Sequence, residues 1–180
     1  MKTLNLKKKL SNGKLFLIPV SFFYFKDFHE YSVDKKFFKY FEYDSFKTKK
    51  ESKAYIQKMI RLSKKKNIQY WFIVLKKLNK CIGTISIKID INRNSGELGY
   101  GLNPNFWGNG YFSSSLKTLE KFLFLNIKLK RLFAITFSSN LRSVNTLMKL
   151  GYKIEGKMKC FYKKKNDYID SIILAKINNK

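Results

Sequence analysis

The apolar positions of this chain alternate between the two periods that mark strands and helices. Residues 14–19 make a strand-like run that ends at Pro19, because proline has no amide to give a ladder. Beyond it, Phe22, Phe25, Phe28, Tyr31, Phe37, Phe38 and Phe41 recur at steps of three and four. That spacing predicts two short helices broken near residues 32–34, with Asp34 able to cap the second. The stripe reads as core rather than a platform for stacking bases, since no basic residues alternate with it in strand period. Residues 49–62 are more clearly amphipathic, with Ala54, Ile56, Met59, Ile60 and Leu62 at helical spacing and a Thr48-x-x-Glu51 capping box at the start.

Strands follow at 69–75 and 81–89 around the polar loop 76–80, where Gly83 marks a bulge or a close backbone approach. A further strand at 97–102 leads through a glycine-containing loop into a helix over 113–124. A strand at 131–137 is followed by a helix at 141–150 closed by Gly151, the usual residue just past a helix end. Last come strands at 152–155 and 168–176, joined by a turn at 163–166. Residues 1–13 read as a basic arm or a lead-in, and 14–180 as one domain without internal repeats. The order of elements implies an α+β fold with a mixed sheet.

Chemistry concentrates at Asn105-Phe106-Trp107-Gly108-Asn109-Gly110-Tyr111. Two glycines ahead of a helix allow positive φ, and the helix N-terminus presents unpaired amides, which together make a seat for an anion. An ordinary strand-to-helix turn is the alternative. Glu97, Gly99 and Gly101 share one face of their strand, which predicts an open floor beside a carboxylate. The strand ending near 138–140 feeds a second helix start.

Charge changes the picture less than its size suggests. The 180 residues carry a net charge of +26 from 38 basic and 12 acidic side chains. Only Arg61, Arg93, Arg131 and Arg142 are arginine. With the abundance of Asn, Ile, Phe and Tyr, the lysine excess reads as codon drift on a solvated surface. Surfaces selected for nucleic acid favour arginine, so no specific nucleic-acid partner is expected, though the field speeds the encounter with any anionic ligand. Cys81 and Cys160 match no metal or redox spacing and suit a reducing compartment. The apolar run 15–25 resembles a signal-peptide core but is interrupted by Pro19 and Ser21 and has no small-residue cleavage site. No stretch reaches the roughly 18 apolar residues of a membrane span. These features predict a cytoplasmic protein without a metal.

Two ordered motifs carry a family resemblance. The segment Gly99-Tyr100-Gly101-Leu102-Asn103-Pro104-x-x-Trp107-Gly108-x-Gly110-Tyr111 resembles the acetyl-coenzyme-A loop of GCN5-related N-acetyltransferases (GNAT), of the ribosomal-protein and amino-sugar acetyltransferase branch. Asn140-x-x-Ser143-x-x-x-Leu147-x-x-Leu150-Gly151-Tyr152-x-x-Glu155-Gly156 is similar to that branch's second motif, and Tyr168-x-Asp170 to its final strand. The resemblance spans almost the whole chain. It implies a V-splayed mixed sheet flanked by helices, with acetyl-CoA as acetyl donor in the split. Coenzyme contacts are implied at Leu102, Trp107, Gly108, Asn109, Gly110, Tyr111, Asn140 and Ser143. Asn105 stands at the loop's leading Gln/Arg position, Ser114 replaces a usual glutamate, and Leu147 stands where many relatives carry a tyrosine as general acid. Ser143 or a water is then expected in that role.

The expected reaction is attack of a neutral primary amine on the thioester, with Glu97 as base, directly or through water. A solvated strand-start residue is the other reading of Glu97, and His29 reads as a helix-surface residue. An α-amine near 7.7–8.0 is neutral about one time in ten at pH 7, against about once in 2,500 for lysine. A protein N-terminal α-amine is therefore the first expected acceptor, and a nucleotide-linked amino sugar or small amine the second. A non-catalytic module binding coenzyme or RNA is the reading from a different class.

Overall fold

The structure is a computed structural model describing residues 5–179. Eight strands form one sheet: β1 (Leu10–Ser11), β2 (Leu15–Pro19), β3 (Ile68–Leu75), β4 (Lys80–Asp90), β5 (Ser95–Leu102), β6 (Arg131–Phe137), β7 (Lys153–Lys164) and β8 (Asp167–Ile177). Four α-helices accompany them: α1 (Phe25–Ser32), α2 (Lys49–Leu62), α3 (Tyr111–Phe122) and α4 (Leu141–Lys149). The strands lie in the order β1-β2-β3-β4-β5-β6-β8-β7. All neighbours are antiparallel except β5 and β6.

That parallel pair decides the architecture. β5 and β6 are in register only at Ser95, Gly96 and Glu97 against Arg131, Leu132 and Phe133. Beyond Glu97 the strands part and the sheet opens into a V. Side-chain alternation along the central strands feeds two cores. Trp71, Ile73, Ile85, Ile87 and Leu98 pack with Leu116, Leu119 and Leu147 of α3 and α4. Phe72 and Val74 pack on the opposite face with Phe28, Tyr31, Phe37, Phe38, Ile56 and Met59. Phe28, Tyr31, Phe37 and Phe38 of the aromatic stripe are therefore core, Phe25 and Phe41 pack partly buried against them, and Phe22 is exposed.

Some expectations hold and others need correction. Leu6 and Leu10 are buried, the Trp71 indole donates to the Lys8 carbonyl at 2.9 Å, and β1 pairs with β2. Residues 6–11 thus lie against the sheet, while 1–4 fall outside the described residues. The second aromatic helix is a single 3-10 turn, Phe37–Tyr40. In α2 the buried side chains are Ser52, Ile56 and Met59, not Ala54. The capping box forms, with Thr48 Oγ1 accepting from the Glu51 amide at 3.2 Å. β3 and β4 slip register opposite Gly83, at Ile73/Val74.

β7 runs to Lys164, far past the expected residue 155. Its residues are exposed or half-buried on both faces, so no apolar alternation marks it. Register shifts at Ile154/Gly156 and Met158/Tyr162 keep it paired with β8. His29 is half-buried, its Nδ1 2.8 Å from Ser52 Oγ, and joins α1 to α2.

Candidate active site

The glycine loop sits at the mouth of the V, on the segment joining β5 to α3. Asn103 is buried and fixed, donating through its amide to the Ile82 carbonyl at 2.8 Å and accepting from the Asn105 amide at 3.0 Å. The Trp107 indole donates to the Leu102 carbonyl at 2.8 Å, so one lone pair of that expected coenzyme contact is already committed. Asn109 donates to the Trp107 carbonyl at 3.0 Å, which directs its side chain back into the loop.

Gly108 and Gly110 have φ of +81° and +71°, a region L-residues with a Cβ rarely adopt. A Cβ at either would meet no atom within 4 Å, so the cradle they line is open. The first intrahelical bond of α3 is Ser114 to the Gly110 carbonyl at 3.0 Å. The amides of Tyr111, Phe112 and Ser113 therefore have no carbonyl a turn behind them. An open backbone concavity ending in free helix amides fits a pyrophosphate.

Arg142 was not singled out by the sequence reading. Its guanidinium lies 4.2 Å from the centroid of the Trp107 ring. The loop is thereby tied to α4 across the split, and a fixed positive charge stands beside the anion seat. Asn140 caps α4, its Oδ1 accepting from the Ser143 amide and its Nδ2 donating to Thr136 Oγ1, both at 3.3 Å. Ser143 is only 7% exposed, and its Oγ is 2.5 Å from the Tyr100 hydroxyl. Leu147 is fully buried in the apolar core, so no phenol reaches the split from that turn of α4.

Glu97, Gly99 and Gly101 occupy the other face of β5, and only part of that floor is open. A Cβ on Gly101 would stand 2.7 Å from the Phe37 ring and 3.0 Å from Phe41. These aromatics cover the end of the strand, because removing the side chain there lets two rings pack on backbone. Gly99 is exposed beside Ser86, whose Oγ donates to the Gly99 carbonyl at 3.3 Å. Glu97 is half-buried. Burial, and then the carboxylates of Glu42 and Glu97, push the Tyr162 phenol up to about 12. Tyr70 is raised as well, by burial, Tyr55 and Glu97. This face thus gathers two carboxylates and two phenols, with Lys88 opposite Glu97 in the ladder. Glu97 and Ser143 flank the split from opposite faces of the sheet.

The model of the acetyltransferase (GNAT) domain family matches residues 14–153. The chain belongs to the GNAT family. It is an acetyltransferase, and its donor is acetyl-CoA. An uncharacterized N-acetyltransferase, p20, from Bacillus licheniformis is 28% identical over 142 residues, 78% of this chain and 80% of its own. The acetyltransferase from Salmonella typhimurium that modifies the N-terminal serine of ribosomal protein L7/L12 superposes with a TM-score of 0.85 at 20% identity, covering 96% of this chain and 100% of its own. MccE, a microcin C7 self-immunity acetyltransferase solved with acetyl-CoA and AMP, reaches 0.86 at 20% identity, covering 98% and 99%. At these identities the two structures speak for the fold of this GNAT protein.

Proposed function

We propose that this GNAT enzyme acetylates a cationic primary amine, first of all the N-terminal α-amine of a protein, in the cytoplasm. The observation that carries the reading is the make-up of the acceptor face. In a chain of net charge +26, that face groups Glu97 with Glu42 around Tyr162 and walls them with Phe37 and Phe41. Carboxylates and aromatic rings suit an ammonium group and its apolar neighbours. The fold shared with an enzyme that modifies an N-terminal serine points the same way.

In this reading the loop amides from Gly108 to Ser113, with Trp107 and Arg142, hold the pyrophosphate. Leu102, Asn109, Tyr111 and Asn140 shape the channel, and Ser143 faces its sulfur end. When bound, acetyl-CoA supplies an acyl group already activated as a thioester. Glu97 removes a proton from the incoming ammonium, directly or through a water, which for an α-amine costs only about 1 kcal/mol at pH 7. On the β6 side the edge of β5 past Glu97 has no paired strand among the described residues, so the amides that face the split, unlike those bonded to β4, are free to polarise a carbonyl there. No step needs nucleic acid or a membrane, and among the described residues no helix is long and apolar enough to cross one.

Mass spectrometry of products from a panel of N-terminal peptides, free lysine and nucleotide-linked amino sugars tests the proposal. Acetylation confined to peptide α-amines, strongest where the first residues are uncharged or basic, is expected. Turnover of the sugar nucleotides with none of the peptides would replace this reading with amino-sugar acetylation.

A further inference from the structure

We infer that Tyr100 is a positioning residue that holds Ser143 as a hydrogen-bond donor aimed into the split, at the sulfur end of the bound coenzyme. The inference rests on the donor seat described above. Tyr100 lies three residues beyond Glu97, the last β5 residue in register with β6, and Ser143 lies in the first turn of the helix that follows β6. Their 2.5 Å contact therefore stitches the two halves of the sheet together across the V. A ligand whose phosphates sit at Gly108–Gly110 has to pass this pair before reaching Glu97, about 10 Å further along the strand.

Hydrogen-bond accounting gives Ser143 an unspent proton. Ser115, Thr118 and Thr146 each donate to the carbonyl four residues back, at 2.8, 2.9 and 2.8 Å, the usual use of a helical hydroxyl. Ser143 makes no such bond. Its Oγ meets the Tyr100 hydroxyl instead, and no other side-chain or carbonyl partner for it is present among the described residues. A phenol is a far stronger acid than an alcohol, so Tyr100 donates and Ser143 accepts. The serine proton is then left without an acceptor at 7% exposure. A buried donor left unmet is unfavourable, and a ligand atom in the split would meet it.

The phenol is well held for the task. Its ring packs against Phe112 with centroids 4.3 Å apart. Burial pushes its pKa up to about 12, so it stays protonated across the working range. The pair stands where the fully buried Leu147 supplies no polar group.

The pair forms and breaks no covalent bond. A thiol titrates near 8.5, far below an alcohol, so serine keeps its proton and stabilises developing negative charge on sulfur by hydrogen bonding alone. The proton released by the amine leaves through Glu97 or water.

Calorimetry with CoA and desulfo-CoA at pH 9, on the wild type, Tyr100→Phe, Ser143→Ala and the double variant, tests the assignment. Wild type should bind CoA about tenfold more tightly than desulfo-CoA. Both single variants should lose most of that preference while binding desulfo-CoA as the wild type does. In turnover, Tyr100→Phe should lower kcat about tenfold at unchanged KM for acetyl-CoA, and the double variant should be no worse than Ser143→Ala. A preserved preference in Tyr100→Phe, equal weakening of both ligands, or multiplying losses in the double variant would each overturn the role. If the wild type binds neither ligand, the donor seat itself is wrong and the inference falls with it; wild-type binding without a preference overturns the pair alone.

Discussion

Lys164 at the end of β7 donates through Nζ to the Phe38 carbonyl at 2.8 Å. Phe38 belongs to the turn whose Phe37 ring covers Gly101, so this bond ties the far half of the sheet to the roof of the near half. The ion pair of Lys165 with Asp44 at 3.7 Å lies beside it. The face of the V that carries Glu97 is thus strapped by main-chain and ionic contacts, and the opposite face is bridged by Tyr100–Ser143 and Arg142–Trp107. Partial burial lowers the Lys164 pKa, the cost of holding an ammonium against backbone carbonyls.

Lys164→Met removes the strap and keeps the aliphatic stem. The expected result is a several-fold rise in KM for the acceptor with acetyl-CoA affinity unchanged, and a loss of about 1 kcal/mol, roughly 2–4 °C in Tm. Steady-state kinetics and thermal melts read both. Equal effects on donor and acceptor would place the strap outside the acceptor path.

Glu97 is half-buried on β5, and in the proposed mechanism its role is proton removal. Glu97→Gln should lower the rate at pH 7 by about tenfold or more and recover towards wild type near pH 9, where more of an α-amine is already neutral. A pH–rate profile decides it. The same deficit at both pH values would remove Glu97 from the proton path.

A separate device locks α3 to β8. Lys176 Nζ donates to Glu120 at 2.9 Å and to the Leu150 carbonyl at 2.8 Å, and Glu120 is almost wholly buried. Lys176→Met leaves that carboxylate buried without its counter-ion and should destabilise the fold by about 2–4 kcal/mol. Pairing it with Glu120→Leu should restore most of the loss in denaturant titrations. A double variant as unstable as the single one would contradict the account.

The acid side of the stability profile has a named contributor. Glu155 on β7 makes a two-oxygen ion pair with the Arg131 guanidinium, which holds its carboxyl below the ordinary value of 4.5. A carboxyl lowered by folding contributes stability that is complete above its unfolded value and is lost as pH falls through the folded one. Denaturant midpoints measured from pH 6 to pH 3 should therefore fall less steeply below about 4.5 in Glu155→Gln than in the wild type. Parallel curves would leave the pair without effect.

Sequence spacing revealed the elements whose signal is local. The capping box at Thr48, the strand Arg131–Phe137, the helix after Asn140 and the glycine loop all follow from periodicity and cap chemistry. Features built by contacts distant in sequence stayed hidden. Tyr100 shares a strand with the anticipated Glu97 and faces the other way, and only the fold brings it to Ser143, 43 residues on. The floor at Gly101 looked open because spacing gives the missing side chain and not the rings of Phe37 and Phe41 that fill its place. β7 was cut short because a strand polar on both faces carries no alternating signal. Arg142 was counted as background charge, and its stacking on Trp107 is a tertiary contact.

The central claim is that the Gly108–Gly110 cradle at the N-terminus of α3 seats the phosphates of acetyl-CoA. Isothermal titration of acetyl-CoA into the wild type and Gly108→Trp at several salt concentrations tests it most directly. Wild type should bind with one site per chain and weaken as salt rises. The indole should fill the cradle and reduce affinity at least 100-fold in a variant that still melts cooperatively. Wild-type affinity in Gly108→Trp, or no binding by the wild type, would contradict it.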